Sequence, residues 1–145
     1  MKLPKELYNG LIIVTGIGIY FLLMEALNLA DLYYLRMLNI LFIFYGANRT
    51  LKSNYTQGKT IFSSNAVSAL TTCLIGVFLS IIGLIVYSYA KGGDPYVQSL
   101  SESFLFGGQP TVVTYSISLL FEGIVSAVIV TFSLLLYWKN QYPTD

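Results

Sequence analysis

The last long apolar stretch, Val112 to Tyr137, constrains the fold more than any other feature because it carries a carboxylate, Glu122, near its middle. A helix rises about 1.5 Å per residue, so one over this stretch is longer than the ~30 Å hydrocarbon core of a bilayer. The stretch therefore predicts a transmembrane helix. Glu122 would lie near the bilayer midplane, where an ionised side chain costs at least about 2.5 kcal/mol. The rest of the protein must supply Glu122 with polar partners or keep it protonated.

The composition is that of an integral membrane protein. Hydrophobic residues make up 55% of the 145 residues and charged residues only 10%, against about 25% charged in soluble domains. The net charge of +1 gives no electrostatic reason to expect a nucleic-acid partner. The chain has no histidine and one cysteine, Cys73, which excludes an internal disulfide and removes the usual ligands of haem, zinc and copper. No nucleophile–base constellation is present, so we expect neither a cofactor nor enzymatic activity.

Four apolar stretches predict an all-α fold, an integral membrane four-helix bundle formed by a single domain over residues 1–145. The second stretch is shorter than an ordinary span and includes Arg36 and Asn39, which leaves open whether it crosses the bilayer completely. The polar stretch from Asn48 to Asn65 predicts a loop. The predicted helices cover residues 9–29, 32–47, 66–90 and 112–137.

The loop between the third and fourth helices contains a further helix signal. Asp94 is a plausible N-cap, Pro95 follows at the first helical position, and Val97, Leu100 and Phe104 recur at helical spacing. This pattern predicts a short interfacial helix lying on the outer surface of the membrane.

The lysine and arginine distribution predicts that both termini are cytoplasmic. With that orientation six basic residues face the cytoplasm and two, Arg36 and Lys91, lie on the outer side, as the positive-inside rule requires. The cytoplasmic six are Lys2, Lys5, Arg49, Lys52, Lys59 and Lys139.

Polar residues within the predicted spans form a candidate intramembrane cluster. On the fourth helix, side chains spaced by four share one face around Glu122. On the first two helices, Glu25 and Arg36 lie at similar depth and are the natural ion pair, and Asn39 lies a turn deeper, nearest the level of Glu122. The cluster comprises Glu25, Arg36, Asn39, Ser118, Glu122 and Ser126.

Two interpretations of this cluster remain open. In a structural role, Glu122 is either protonated or hydrogen-bonded to Asn39, Ser118 and Ser126. In a functional role, Glu122 is a proton or cation site, and Arg36 binds an anionic group or gates access.

A row of small residues on the third helix predicts close packing with another helix. Whether the close partner is the fourth helix or a neighbouring subunit is open at this stage. The candidate packing face comprises Thr72, Gly76, Ser80 and Gly83 on the third helix, with Gly123 and Ala127 on the fourth.

Short motifs resemble those of an uncharacterised four-helix membrane protein family of Bacteroidota. The similarity lies in the Arg36-x-x-Asn39 pattern near the start of the second helix, in Tyr45-Gly46, and in the stretch from Tyr55 to Phe62 that leads into the third helix. The resemblance implies a multi-pass protein of the bacterial inner membrane. It implies no activity, cofactor or binding residue.

These observations favour a non-enzymatic accessory or scaffold protein. Such a protein would lie in the lipid bilayer and associate with itself or with another membrane protein in a larger complex. The alternative is a small oligomeric transporter or channel with an intramembrane polar site around Glu122.

Overall fold

A computed structural model describes residues 4–29, 37–59, 61–100 and 110–141, and this part of the chain is helical without a strand. The predicted all-α class is therefore confirmed. The elements are α1 (Lys5–Ala26), a 3₁₀ turn (Met37–Asn39), α2 (Ile40–Thr56), α3 (Phe62–Ala90), α4 (Asp94–Leu100) and α5 (Val112–Gln141).

Among the described residues, three helices are long and apolar enough to cross a membrane. They are α1, α3 and the part of α5 from Val112 to Trp138. Helix α2 is not among them, because it has only 17 residues.

Helix α2 differs most from the sequence-based expectation of a helix over residues 32–47 followed by a polar loop. Residues 32–36 lie outside the described part, and the helix continues to Thr56, so the predicted loop from Asn48 onward is wrong over those residues. The reason is periodicity. The buried residues of α2 recur at helical spacing through its polar half, and the buried polar members are hydrogen-bonded. These residues are Ile43, Gly46, Ala47, Thr50, Leu51, Asn54 and Tyr55.

Three other helix ends lie beyond the apolar stretches from which they were predicted, whereas α1 ends three residues before its predicted end at residue 29. Helix α1 begins at Lys5 and ends at Ala26, α3 begins at Phe62, and α5 continues to Gln141. The N-cap of α3 is Ile61, which makes no side-chain capping bond. Asn65, one of the polar residues expected to begin this helix, instead donates to the carbonyl oxygens of Lys59 and Ile61 at 2.9 and 3.0 Å.

Helix α3 is central and packs along both α1 and α5, while α2 contacts all three. We call the end with the starts of α1 and α3 the basal end, and the opposite end the apical end. Helices α1 and α3 are parallel in constant register, because the pairs Glu6–Ser68 and Glu25–Tyr87 are each separated by 62 residues. Helices α2 and α5 run antiparallel to α3.

The basal half is tightly packed around Ile13, which is fully buried in the core. Glycines lie where the helices cross. A methyl group at Gly76 would lie 2.5 Å from Ile13 Cγ2, and one at Gly10 would lie 2.5 Å from Ile75 Cγ2. Farther along α3, Gly123 of α5 packs in the same way against Val77. These contacts leave little space between the helices in this half.

Candidate binding cavity

A cavity of about 700 Å³ lies in the apical half of the bundle. Residues of α1, the 3₁₀ turn, α2, α3 and α5 line it, and most of them are apolar. The polar groups in the lining are few and come from different helices: Asn39, Ser80, Glu122 and Ser126, with the phenols of Tyr20, Tyr87 and Tyr115. Ligand sites typically combine an apolar wall with a few convergent polar groups in this way.

The register of the helices brings several of these polar groups to one depth. Gly18 of α1 is 62 residues before Ser80, so the two are level in the parallel pair. Glu122 adjoins Gly123, which packs against Val77, and therefore lies within about one 5.4 Å turn of Ser80. Ser80 and Glu122 thus lie at similar depth in a mostly apolar cavity.

Asn39 reaches nearly the same depth from α2. In the antiparallel pair of α2 and α3, Thr50 contacts Thr72. Asn39 is eleven residues from Thr50 toward the apical end, and Gly83 is eleven residues from Thr72 in the same direction. Asn39 and Gly83 are therefore level. Gly83 is three residues from Ser80, or about 4.5 Å along the helix.

Two glycines provide space at this level. A methyl group on Gly18 or Gly83 would have no protein atom within 4 Å. This contrasts with Gly10, Gly76 and Gly123, where the same group would press against a neighbouring side chain. The open glycines of α1 and α3 therefore belong to the cavity wall, whereas Gly10 and Gly76 lie at helix crossings outside it and Gly123 lies at a crossing that borders it.

Two lining side chains have a buried polar atom without a hydrogen-bond partner, namely Asn39 Oδ1 and Ser80 Oγ. Asn39 is the N-cap of α2 but makes no capping bond, because the preceding 3₁₀ turn already gives it helical φ and ψ angles. Helical hydroxyls usually donate to a carbonyl one turn earlier, as Ser116 does to Val112 at 2.7 Å. Ser80 makes no such bond. Both oxygen atoms are buried, so neither is exposed to the open space of the cavity in this conformation.

The structure brings together part of the predicted polar cluster and part of the predicted packing face. Asn39, Glu122 and Ser126 line the cavity with Ser80, Gly83 and Gly123, while Ser118 is buried within α5. Thr72, Gly76 and Ala127 are buried in contacts among the described helices.

Glu25 lies at the apical end, away from this level. Its carboxylate accepts hydrogen bonds from the phenols of Tyr87 and Tyr96, the latter at 2.8 Å. The expected ion-pair partner, Arg36, lies outside the described residues. Burial, followed by the hydrogen bond to Glu25, raises the pKa of Tyr96.

Helix α4 closes the apical end as a docked element. Val97 is fully buried against Val112 and Tyr115, and Asp94 Oδ1 accepts a hydrogen bond from the backbone N–H of Val112 at 2.9 Å. Asp94 thereby satisfies an N–H in the first turn of α5. The predicted short helix is present, with Asp94 as its first residue, and Phe104 lies outside the described residues.

A buried polar layer in the basal half was missed by the sequence analysis. Asn9 Nδ2 donates to Thr50 Oγ1 at 2.8 Å, Thr50 and Thr72 are in contact at 2.8 Å, and Thr72 donates to the carbonyl oxygen of Ser68 at 3.0 Å. Since the Thr72 proton is used for Ser68, Thr50 is the donor to Thr72. The chain of bonds runs in one direction across α1, α2 and α3.

Further bonds connect α2 to α5 and to the basal surface. Trp138 Nε1 donates to Asn48 Oδ1 at 2.9 Å, and the Trp138 indole stacks on Tyr55 with ring centroids 5.6 Å apart. Arg49 donates from Nε to Asn9 Oδ1 at 3.2 Å. The helical spacing of Ile43, Ala47, Thr50, Leu51 and Asn54 is the sequence signal that could have revealed α2 as a packed helix over this stretch.

The described residues contain no group of three or more Cys, Asp or Glu side chains that could hold a metal ion. Comparison of the sequence with protein-family models, curated proteins and solved structures finds no match. The resemblance to a Bacteroidota membrane family stays a hypothesis that depends on its short motifs. What the geometry offers chemically is a mostly apolar cavity with hydrogen-bonding groups at one depth.

Proposed function

We propose that this protein is a small non-enzymatic accessory protein of the bacterial inner membrane that binds a membrane-soluble molecule in its apical cavity. The cavity itself is the observation that carries the proposal. Its volume of about 700 Å³ falls in the range of about 300–1,000 Å³ typical of small-molecule sites, and its apolar walls suit a molecule that partitions from the bilayer.

The contrast between the two halves favours binding over conduction through one chain. The apical half is open around Gly18 and Gly83, whereas Ile13, Leu51 and Leu135 are fully buried in the basal half. A polar path that begins at Glu122 would have to cross this packed core.

The proposed topology has four spans with both termini in the cytoplasm, which makes the basal end cytoplasmic. The described basic residues at that end, Lys5, Arg49, Lys52 and Lys59, support this orientation. An alkaline phosphatase fused to the C-terminus should be inactive, because that enzyme needs the periplasm to fold. Activity of the fusion would refute the topology.

The binding test uses native mass spectrometry of protein extracted in mild detergent. We expect wild type to carry a non-covalent adduct and Gly83→Leu to lose it, since the leucine side chain would fill the cavity. Val86→Leu is the matched control, because Val86 is 65% exposed on the same helix. Absence of an adduct in wild type, or its retention in Gly83→Leu, would contradict the proposal.

The accessory role predicts a protein partner, either a second copy or another membrane protein. Co-purification of a stoichiometric partner under the same mild extraction would support it. Extraction of a monomer alone would argue for a binding protein that acts without a complex.

A small oligomeric transporter or channel is the second candidate, favoured by the position of Glu122 and Ser126 in the cavity lining. It predicts substrate flux in liposomes that Glu122→Gln abolishes and Gly83→Leu reduces. Because the described helices of one chain are packed at the basal end, this flux would require subunits to form the path between them.

A further inference from the structure

We infer that Arg49 binds the phosphate group of a membrane phospholipid in a groove between α1 and α2, in the basal half of the bundle. The site is separate from the apical cavity, and the inference does not depend on the function proposed for that cavity. It follows from the orientation of the guanidinium, from its depth, and from the apolar surface that continues from it toward the apical end.

The guanidinium of Arg49 is oriented by neutral groups. Its Nε donates to Asn9 Oδ1 at 3.2 Å, and the buried Asn9 is itself fixed by its hydrogen bond to Thr50. The exposed rings of Tyr8 and Tyr45 lie near it, with their centroids 6.0 and 5.9 Å from Arg49 Cζ. Rings at this distance attract an exposed cation only weakly. These contacts therefore hold the charge in place without neutralising it.

The outer edge of the guanidinium suits a phosphate group. A guanidinium has five N–H groups in one plane, and Asn9 uses the one on Nε. The contact from Nη1 to Tyr45 Oη is 3.5 Å long, beyond the usual range of an N–H···O bond. Two parallel N–H groups match the oxygens of a phosphate, and such pairs are among the strong hydrogen bonds. Glu6, the acid of α1 nearest to Asn9 in sequence, accepts from Ser68 of α3 at 2.6 Å.

The depth of the guanidinium matches the headgroup region of a bilayer. Asn9 follows Lys5, the first residue of α1, by one helical turn, so Arg49 contacts α1 about 6 Å inside the level at which that helix begins. Helix α1 is apolar enough to cross a membrane from this end, and exposed tyrosines typically mark the membrane–water interface. A cation at this depth borders the hydrocarbon, where an anionic partner stabilises it.

The surface beside Arg49 favours a phospholipid over free phosphate. Toward the apical end, exposed apolar side chains continue along the groove, with Leu11 and Ile19 on α1 and Leu41 on α2. The hydroxyl of Thr15, which lies between the two α1 residues, donates to the carbonyl oxygen of Leu11. A ligand that fits this surface has its phosphate near the membrane surface and hydrocarbon toward the midplane. A phospholipid has this orientation in a bilayer.

The experiment titrates the full chain with lipids after delipidation in detergent, and native mass spectrometry measures the bound fraction. The probes are phosphatidylglycerol, phosphatidylethanolamine and diacylglycerol with identical acyl chains. We expect both phospholipids to bind wild type about tenfold more tightly than diacylglycerol, the ratio that one charge-assisted hydrogen bond provides. Arg49→Gln should bind all three lipids equally weakly. Arg49→Lys should give intermediate affinity, because it keeps the charge but not the planar fork.

Two variants serve as controls. Lys59→Gln removes an exposed cation near Lys5 at the same end of the bundle, and the preference for phospholipids should persist in it. Gly83→Leu fills the apical cavity and should also leave that preference unchanged. The comparison of the three lipids in wild type requires no variant, so it tests the inference even if Arg49→Gln does not fold.

Four results would overturn the inference. Equal binding of diacylglycerol and both phospholipids to wild type would exclude recognition of phosphate. Selectivity for phosphatidylglycerol alone, reduced equally by Arg49→Gln and Lys59→Gln, would attribute binding to the net charge of the basal surface. Displacement of phosphatidylglycerol by inorganic phosphate at a similar concentration would identify free phosphate as the ligand. Loss of the preference in Gly83→Leu would place the lipid in the apical cavity, which would leave the binding function of that cavity standing.

Discussion

Replacing Thr50 by valine should destabilise the protein by about 2 kcal/mol. Valine keeps the shape of threonine but removes the hydroxyl that accepts from Asn9 and donates to Thr72. Thr72 loses only an acceptor role, because it still donates to Ser68. Asn9 is 4% exposed, so water cannot replace the lost acceptor of its amide N–H.

Two reference values give different expectations for the loss of stability in Thr50→Val. Leaving a buried donor unsatisfied costs about 1–3 kcal/mol in soluble proteins, whereas interhelical hydrogen bonds measured in a membrane protein average only about 0.6 kcal/mol. The low membrane value arises because partly unfolded states find other partners. Here the Asn9 amide lies between three packed helices in the folded state, so the cost of the orphaned donor should dominate.

Unfolding in mixed micelles of dodecyl maltoside and SDS measures this cost. Trp138 is the only tryptophan, and its stacking on Tyr55 makes its fluorescence report on the contact between α2 and α5. Thr15→Val is the control, because Thr15 is exposed and bonds only to Leu11 of its own helix. It should change stability by less than about 0.5 kcal/mol.

A double variant tests whether the hydrogen bond itself is responsible. Asn9→Leu together with Thr50→Val removes both donor and acceptor. The double variant should therefore lose about 1 kcal/mol less free energy of unfolding than the sum of the losses in the two single variants. Arg49 loses its Asn9 acceptor, but the arginine is exposed and can bind water. The reasoning is refuted if Thr50→Val costs no more than Thr15→Val, or if the two single costs simply add.

Three further predictions use the same unfolding assay or a simple reagent. Gly76→Ala should lower the free energy of unfolding by about 1–3 kcal/mol, because the added methyl group overpacks against α1. Gly83→Ala should leave the free energy of unfolding unchanged or raise it by up to about 1 kcal/mol through helix propensity. Equal effects of the two variants would contradict the division into packed and open glycines. Cys73 is fully buried and should react with N-ethylmaleimide only after SDS unfolds the protein, so rapid labelling of the native state would be inconsistent with the core. Burial and the hydrogen bond to Glu25 raise the pKa of Tyr96 above its ordinary value of 10.0. The fold therefore favours the protonated phenol, and the resulting stability is complete below about pH 10. It should fall as the pH rises further, and Tyr96→Phe should weaken this dependence; an unchanged pH profile in that variant would contradict the assignment.

The sequence was informative where a single helix determines the result. The stretch around Glu122 is helical because it is long, apolar and free of proline, and residues spaced by four, such as Glu122 and Ser126, share a face in any such helix. Asn39 was expected near the depth of Glu122, and the two residues line one cavity. This expectation depended only on helix rise and on antiparallel neighbours.

The sequence was less informative where several helices contribute together. The polar half of α2 was interpreted as a loop because its apolar content is low, although Thr50, Leu51, Asn54 and Tyr55 follow the helical period. That Asn9, Thr50 and Thr72 meet depends on the rotation of three helices about their axes. Neither composition nor spacing within one helix specifies that rotation.

The cavity could not be predicted from the list of polar residues, because glycines, which have no side chain, provide part of its space. Gly18 and Gly76 are both helical glycines in apolar surroundings, but only Gly76 has a neighbour that a methyl group would meet. The sequence does not distinguish an open glycine from a contacting one. Only the offset between neighbouring helices decides which glycine faces a side chain and which faces space.

An unpartnered buried polar atom is by itself a weak indicator of a ligand site. Four such atoms occur in the described residues, and two of them, Asn54 Oδ1 and Ser88 Oγ, lie outside the cavity lining. Asn54 donates to Asn65 through Nδ2, although its Oδ1 has no partner. Asn39 and Ser80 belong to the cavity lining, but their unpartnered oxygen atoms are as buried as the other two. A ligand can remove the cost of desolvation only where it can reach the atom, and none of these four atoms is exposed to open space in this conformation.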